Sequence, residues 1–155
     1  MAMDPEVKFG IRGAGQYGAK TFEQKFALVA GLVYVGIGVI GFAVTGFNGL
    51  VAESNEALLG IFLLNPFHNI VHIAIGGLWL FGALVLSPAG TEGINIAIGG
   101  VYILATVLGF IGSFGLLNIR SGLDPDNFLH LVSGLLPLLL GSGLFRVARG
   151  EAVSA

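Results

Sequence analysis

The stretch from Asn65 to His72 carries the side chains of this sequence that are best suited to chemistry. It reads Asn-Pro-Phe-His-Asn-Ile-Val-His and holds two of the three histidines, His68 and His72. Their spacing of four places both imidazoles on one face of a helix, one turn apart. Asn65 suits the N-cap of that helix, and Pro66 suits its first position, where a missing N–H does no harm. The stretch therefore predicts a helix start that presents two ligand-type side chains.

A second stretch near the end of the chain repeats this pattern. Asn127 and His130 match Asn69 and His72 at a common offset of 58 residues. A proline suited to a helix start precedes each copy. The predicted helix starts are Asn65 with Pro66 and Asp124 with Pro125.

Composition indicates that a membrane positions these residues. The 155 residues are 55% hydrophobic and 10% charged, with a mean hydropathy of +0.91, whereas soluble domains carry about 25% charged residues. A helix needs about 20 apolar residues to cross a bilayer, and the sequence offers four such runs. The predicted spans are residues 26–46, 66–86, 94–117 and 127–145. They predict an all-α, polytopic transmembrane four-helix bundle over residues 26–146, with an N-terminal arm (1–25) and a C-terminal tail (147–155).

The first and third spans also correspond to each other. Val33-Tyr34 and Gly41-Phe42 recur as Val101-Tyr102 and Gly109-Phe110, at an offset of 68. The sequence therefore predicts two similar helical hairpins in the same orientation across the membrane. They would be related by an approximate two-fold axis along the membrane normal.

The distribution of basic residues predicts the orientation. Four of the seven Lys and Arg residues lie in the N-terminal arm and two, Arg146 and Arg149, follow the fourth span, whereas Arg120 alone lies in the third loop. The positive-inside rule then places both termini in the cytoplasm, as a multi-pass protein of a bacterial inner membrane. The histidine-bearing ends of the second and fourth spans would face outward.

The two hairpins should gather one polar cluster at this outer end. Its predicted members are His68, Asn69, His72, Asn127 and His130. One interpretation is structural, because Asn and His can form hydrogen bonds between helices. A second is a divalent-metal site made of His68, His72 and His130, with Asp126 or Asp124 adding an oxygen ligand.

A third interpretation is a tetrapyrrole, such as haem, held by His72 and His130 as axial ligands. Such a group would be noncovalent, because the sequence has no cysteine and hence no CxxCH attachment motif. Having no bound cofactor remains the default expectation.

Other classes of function find little support in the sequence. The absence of cysteine excludes disulfides and thiolate metal sites, and no basic cluster points to nucleic acid. The acidic residues fall in predicted tails, loops or helix ends, with Glu92 in the second loop (87–93), which argues against a proton-coupled antiporter. No serine has a nearby base and orienting acid, so no enzymatic activity is expected.

These observations favour a non-enzymatic membrane protein, either self-associating or an accessory subunit of a larger membrane complex. Its partners would be the lipid bilayer and other membrane-protein chains, including further copies of itself. A metal- or tetrapyrrole-binding protein is the alternative hypothesis. A small permease is the third, with the row Tyr34, Gly38, Gly41 and Thr45 as its candidate path.

The Asn-Pro-x-His-Asn-x-x-His block at residues 65–72 resembles a bacterial domain-of-unknown-function family of small four-helix integral membrane proteins. Further matching residues are Phe26-Ala27-Leu28-Val29 and Gly38-Val39-Ile40-Gly41-Phe42. The likeness covers most of residues 26–145. It implies the four-helix membrane architecture and no particular activity.

Overall fold

The computed structural model describes residues 7–8, 11–12 and 21–144 and contains four α-helices in this part of the chain. They are α1 (Phe22–Thr45), α2 (Pro66–Val85), α3 (Pro88–Phe110) and α4 (Pro125–Gly141). Short strands pair as β1 (Val7–Lys8) with β2 (Ile11–Arg12) and β3 (Ala57–Leu58) with β4 (Phe62–Leu63). The predicted all-α four-helix fold is confirmed. The remainder of the predicted arm up to residue 20, the end of the fourth span and the tail (147–155) lie outside the described residues.

Three helices are long and apolar enough to cross a membrane, namely α1, α2 and α3. Helix α4 has 17 residues, or about 26 Å at 1.5 Å per residue. The side chains are distributed as lipid requires: many large apolar residues are exposed, whereas the buried set is rich in Gly, Asn, His and Thr. The molecule is therefore a membrane protein whose apolar surface faces lipid.

Capping explains where two helices begin. Helix α1 begins at Phe22, four residues before the predicted span, because Thr21 and Gln24 form a reciprocal capping box. Gln24 also donates to the carbonyl of Leu86, 3.1 Å away, which ties the start of α1 to the turn between α2 and α3.

Helix α3 begins at Pro88, six residues before the predicted span that starts at Ile94, because Ser87 caps it. The connection between α2 and α3 is thus shorter than predicted, and Glu92 lies buried within α3 rather than in a loop. The helix ends at Phe110, near Gly112, whose φ of 76° leaves the helical region.

Glycines bring the two helices of each hairpin into close contact. Helix α1 packs mainly against α2, and α3 against α4. A Cβ atom added at Gly31 would lie 2.8 Å from the carbonyl oxygen of Gly76, and one added at Gly99 would lie 2.9 Å from that of Gly134. The two contacts are equivalent in the predicted repeat, because Gly31 and Gly99 are 68 residues apart and Gly76 and Gly134 are 58 residues apart.

The loop between α1 and α2 folds over the end of the bundle that carries the histidines. Its β3–β4 hairpin turns through Leu59 and Gly60, both at positive φ. Asn118, in the loop before α4, fastens this segment: its side-chain amide donates to the carbonyls of Ser54 and Leu64, each 3.1 Å away, and its Oδ1 accepts from the Ser54 N–H. One side chain therefore joins the two loops.

Adjacent glycines offer a matched test of the close helix packing. Gly76→Ala and Gly99→Ala should each lower the free energy of unfolding by about 1–3 kcal/mol, because the added methyl meets backbone of the facing helix. Gly77→Ala and Gly100→Ala place the methyl in open space and should be neutral or slightly stabilising. Thermal unfolding in detergent measures the difference, and equal effects within each adjacent pair would contradict the packing described.

Asn118→Ala should release the first loop while leaving the helices folded. The change removes several hydrogen bonds that join this loop to the loop before α4. Protease cleavage and amide hydrogen exchange within residues 50–64 should therefore become faster. Asn48→Ala, at an exposed position in the same loop, is the control. Unchanged protection in Asn118→Ala would show that the loop is held in another way.

Candidate metal centre in the bundle

The structure buries all five side chains of the predicted cluster near the first-loop end of the bundle. His68, His72 and His130 are 1%, 4% and 2% exposed, and Asn69 and Asn127 are fully buried. Helix α2 supplies three members of the cluster and α4 supplies two. The question is which of these groups have hydrogen-bond partners.

The two asparagines have structural partners. Asn69 donates to the hydroxyl of Thr45 on α1, 2.9 Å away. Asn127 donates to the carbonyls of Arg120 and Gly122, each 3.0 Å away, and so secures the loop before its own helix. Both amides contact glycine positions in the facing helix, where a Cβ would overlap them. The Oδ1 atom of each is unpaired, so the asparagines are held through their donor groups, and those bonds fit the structural interpretation.

The histidines do not share this pairing. Within residues 21–144, neither ring nitrogen of His68 makes a hydrogen bond, nor does the Nδ1 of His72 or of His130. The carbonyls of Leu63 and Leu117 lie beside the His68 ring, but not in hydrogen-bonding geometry. A buried polar group left unpaired costs about 1–3 kcal/mol. Several such groups in one place point to a missing binding partner.

Asp126 completes a group with two of these histidines. One ligand atom from each of His68, Asp126 and His130 lies within 4.8 Å of the other two, and all three residues are buried. The Oδ2 atom of Asp126 is also unpaired, while its backbone N–H donates to Asp124, 3.0 Å away. Metal–ligand bonds of about 2.0–2.2 Å separate ligand atoms by about 3–4 Å, so small side-chain rotations would close the group around one ion.

His72 lies beside this group rather than in it. Its ring stacks on that of His68, with centroids 4.5 Å apart and planes at 16°. On its other side it contacts the Tyr34 ring at 5.1 Å. The sequence predicted His68, His72 and His130 as nitrogen ligands, with Asp126 or Asp124 as an oxygen ligand. The compact group contains Asp126 with His68 and His130, and His72 lies outside it.

The packed rings do not fit a tetrapyrrole held between His72 and His130. His68 contacts both, at centroid distances of 4.5 Å to His72 and 5.9 Å to His130. Tyr102 packs on His130 at 5.3 Å and Tyr34 packs on Tyr102 at 5.7 Å. A flat macrocycle would have to displace these side chains. The donor set suits a small ion instead.

Comparison with known proteins places the chain in a family. The model of the family described as "Domain of unknown function (DUF4383)" matches residues 24–142. The chain belongs to the DUF4383 family. Among curated proteins and solved structures, none matches it. The match spans α1 to α4 and therefore includes every residue of the polar cluster.

Aromatic side chains of the DUF4383 bundle pack beside the group formed by His68, Asp126 and His130. Tyr34, Trp79 and Tyr102 are buried, and their ring centroids lie 5.0–6.2 Å apart. The Tyr34 hydroxyl is hydrogen-bonded to Ser133 on α4, and the Trp79 indole donates to Asn95 at 3.1 Å. Sequence reasoning did not link these residues to the histidines, although Tyr34 and Tyr102 correspond at the offset of 68.

Leucine substitutions should distinguish the role of His68, whose ring nitrogens are unpaired, from that of Asn127, whose amide donates two hydrogen bonds. His68→Leu removes no hydrogen bond, so the metal-free DUF4383 protein should unfold at the same temperature or higher. Asn127→Leu leaves two carbonyls without their donor and should cost about 1–3 kcal/mol. Thermal unfolding in detergent with chelator provides the measurement. A large loss of stability in His68→Leu would favour a structural role for the histidine.

Proposed function

We propose that this protein is an integral membrane metal-binding protein that holds one divalent transition-metal ion through His68, Asp126 and His130. One observation carries the proposal: three ligand atoms from two helices converge within 4.8 Å in a buried site. Their lack of hydrogen-bond partners supports it. Bundle interiors commonly place metal ligands on facing helices in this way.

Charge supports the same conclusion. A dication surrounded only by neutral imidazoles would carry its full charge into a medium of low dielectric constant, which is unfavourable. The Asp126 carboxylate cancels part of that charge. Without an ion, an ionised Asp126 would itself be buried beside unpaired imidazoles. Metal binding would therefore satisfy both the histidines and the carboxylate.

The ligand set indicates the kind of ion. Imidazole nitrogens suit Zn²⁺, Fe²⁺, Ni²⁺ and Cu²⁺, whereas sites made of oxygen alone suit Mg²⁺ and Ca²⁺. Two His and one Asp leave coordination positions free for water or for a further ligand. We favour Zn²⁺ or Fe²⁺. The carbonyls of Leu63 and Leu117, beside the His68 ring, could accept its second N–H and so orient it.

In this proposal the protein acts by binding, not by catalysis. The hypothesis of an accessory subunit is compatible with a metal-binding role. The distribution of Lys and Arg supports a bacterial inner-membrane location with both termini in the cytoplasm. The metal site would then lie near the outer surface.

We also propose that the two hairpins arose by duplication. The equivalent glycine contacts, Gly31 with Gly76 and Gly99 with Gly134, support this origin. The offset of 58 maps His72 onto His130 and His68 onto Asp126. At the pair formed by His68 and Asp126, a carboxylate would have replaced an imidazole in the second repeat. That change would have made the site asymmetric and given it an anionic ligand.

Metal analysis of the purified protein tests the proposal. After incubation with Zn²⁺ and removal of free ion, we expect about one ion per chain. At a free-ion concentration of about 100 times Kd, binding should stabilise the fold by about 2.7 kcal/mol. His68→Ala, His130→Ala and Asp126→Asn should each abolish both effects. Co²⁺ would report the ligand geometry by its visible absorption.

Asp124→Asn is the matched carboxylate control. Asp124 accepts the backbone N–H groups of Arg120 and Asp126 and lies outside the ligand group, so its amide variant should still bind one ion. Full zinc retention in a His68→Ala/Asp126→Asn double variant would refute the proposed site. Loss of zinc from His72→Gln would instead add His72 to the ligands.

A further inference from the structure

We infer that the metal ion reaches its site from the first-loop end of the bundle, through a cavity between the β3–β4 hairpin and the segment that precedes α4. This inference rests on the proposed metal-binding function. It assigns a route and a gating contact to a site that would otherwise be sealed.

The cavity is bordered by residues that neighbour the ligand group. Its volume is about 470 Å³, and its walls come from the first loop and from residues 120–125. Leu63, Asp124 and Pro125 line it. The Leu63 carbonyl lies beside the His68 ring, and Asp124 accepts the N–H of Asp126. The residues that form its walls therefore contact two of the three proposed ligands.

The opposite approach is filled by side chains. Tyr34, Tyr102 and Trp79 pack against one another in the bundle core, and Tyr34 is hydrogen-bonded across to Ser133 on α4. A hydrated cation would have to separate these rings in order to pass. A second cavity, of about 340 Å³, shares Arg120 and Ser121 with the first and lies at the same end of the bundle.

Arg120 connects the two walls of the first cavity. Its Nη2 atom donates to the Asn55 side chain in the first loop, 2.9 Å away, and both residues are exposed. An exposed hydrogen bond of this kind contributes little stability, so it can open readily. Its guanidinium also places a positive charge where a cation would pass. Arg120 would thus slow metal loading both sterically and electrostatically.

The absence of cysteine allows a clean test of this route. Ser121 lines the cavity and is exposed, whereas Val51 is exposed at the same end of the molecule without lining either cavity. Single Ser121→Cys and Val51→Cys variants would be labelled with a bulky thiol reagent. The rate of Co²⁺ binding to each full-length protein in detergent would be followed by absorption, with the unlabelled variants as folding controls.

Label at position 121 should slow Co²⁺ binding on the order of tenfold or more without changing the final stoichiometry, as expected for a blocked route. Label at position 51 should leave the rate unchanged. Arg120→Gln, which keeps the backbone N–H bonded to Asp124, should bind Co²⁺ roughly twofold to tenfold faster at low salt and less so at high salt.

The outcomes separate the two proposals. Stoichiometric Co²⁺ binding at rates that do not respond to the label at position 121 would overturn the route and leave the metal site intact. Equal slowing by labels at positions 121 and 51 would likewise reject this route. Failure of the unmodified protein to bind metal would reject the proposed function and this inference with it.

Discussion

The interior of this bundle is governed by one constraint: a polar atom buried among helices in lipid has no water to bond with. The chain meets that constraint unevenly. The amide N–H groups of Asn69 and Asn127 donate to a hydroxyl and two carbonyls, although the Oδ1 of each is unpaired. Neither ring nitrogen of His68 is paired, and His72 and His130 each leave Nδ1 unpaired. The donor bonds of the asparagines hold the helices and loops together, and the unpaired histidine nitrogens are the basis of the proposed metal site.

Glycine packing is what makes the polar interior narrow enough for these contacts. Because Gly41 and Gly109 lack a Cβ, the Asn69 and Asn127 amides can lie directly against the facing helix. The same close approach at Gly76 and Gly134 fixes α2 against α1 and α4 against α3. Each proposed ligand therefore projects from a helix that is held against its hairpin partner by backbone contact. Such support restricts the movement of the proposed site within each hairpin.

The loops complete the site from outside. Asn118 joins the first loop to the segment before α4, and Asp124 caps the helix that carries Asp126 and His130. The loops that close the end of the bundle thus also hold one ligand in position. In the proposed function, this arrangement would link access to the metal site with the stability of the first loop. It also explains why the cavities lie at this end of the described structure.

Much of the architecture follows from local sequence alone. Apolar run length sets the spans, Asn-Pro and Asp-Pro set the starts of α2 and α4, and the i, i+4 spacing puts His68 and His72 on one face, because these features depend on neighbours along the chain. The tertiary structure decided what depends on distances between helices. It placed Asp126 with His68 and His130, left His72 stacked at the side, and buried Glu92 within α3. Residue spacing cannot give these results, since helix separation and side-chain direction are set by glycine contacts and loop hydrogen bonds between distant segments.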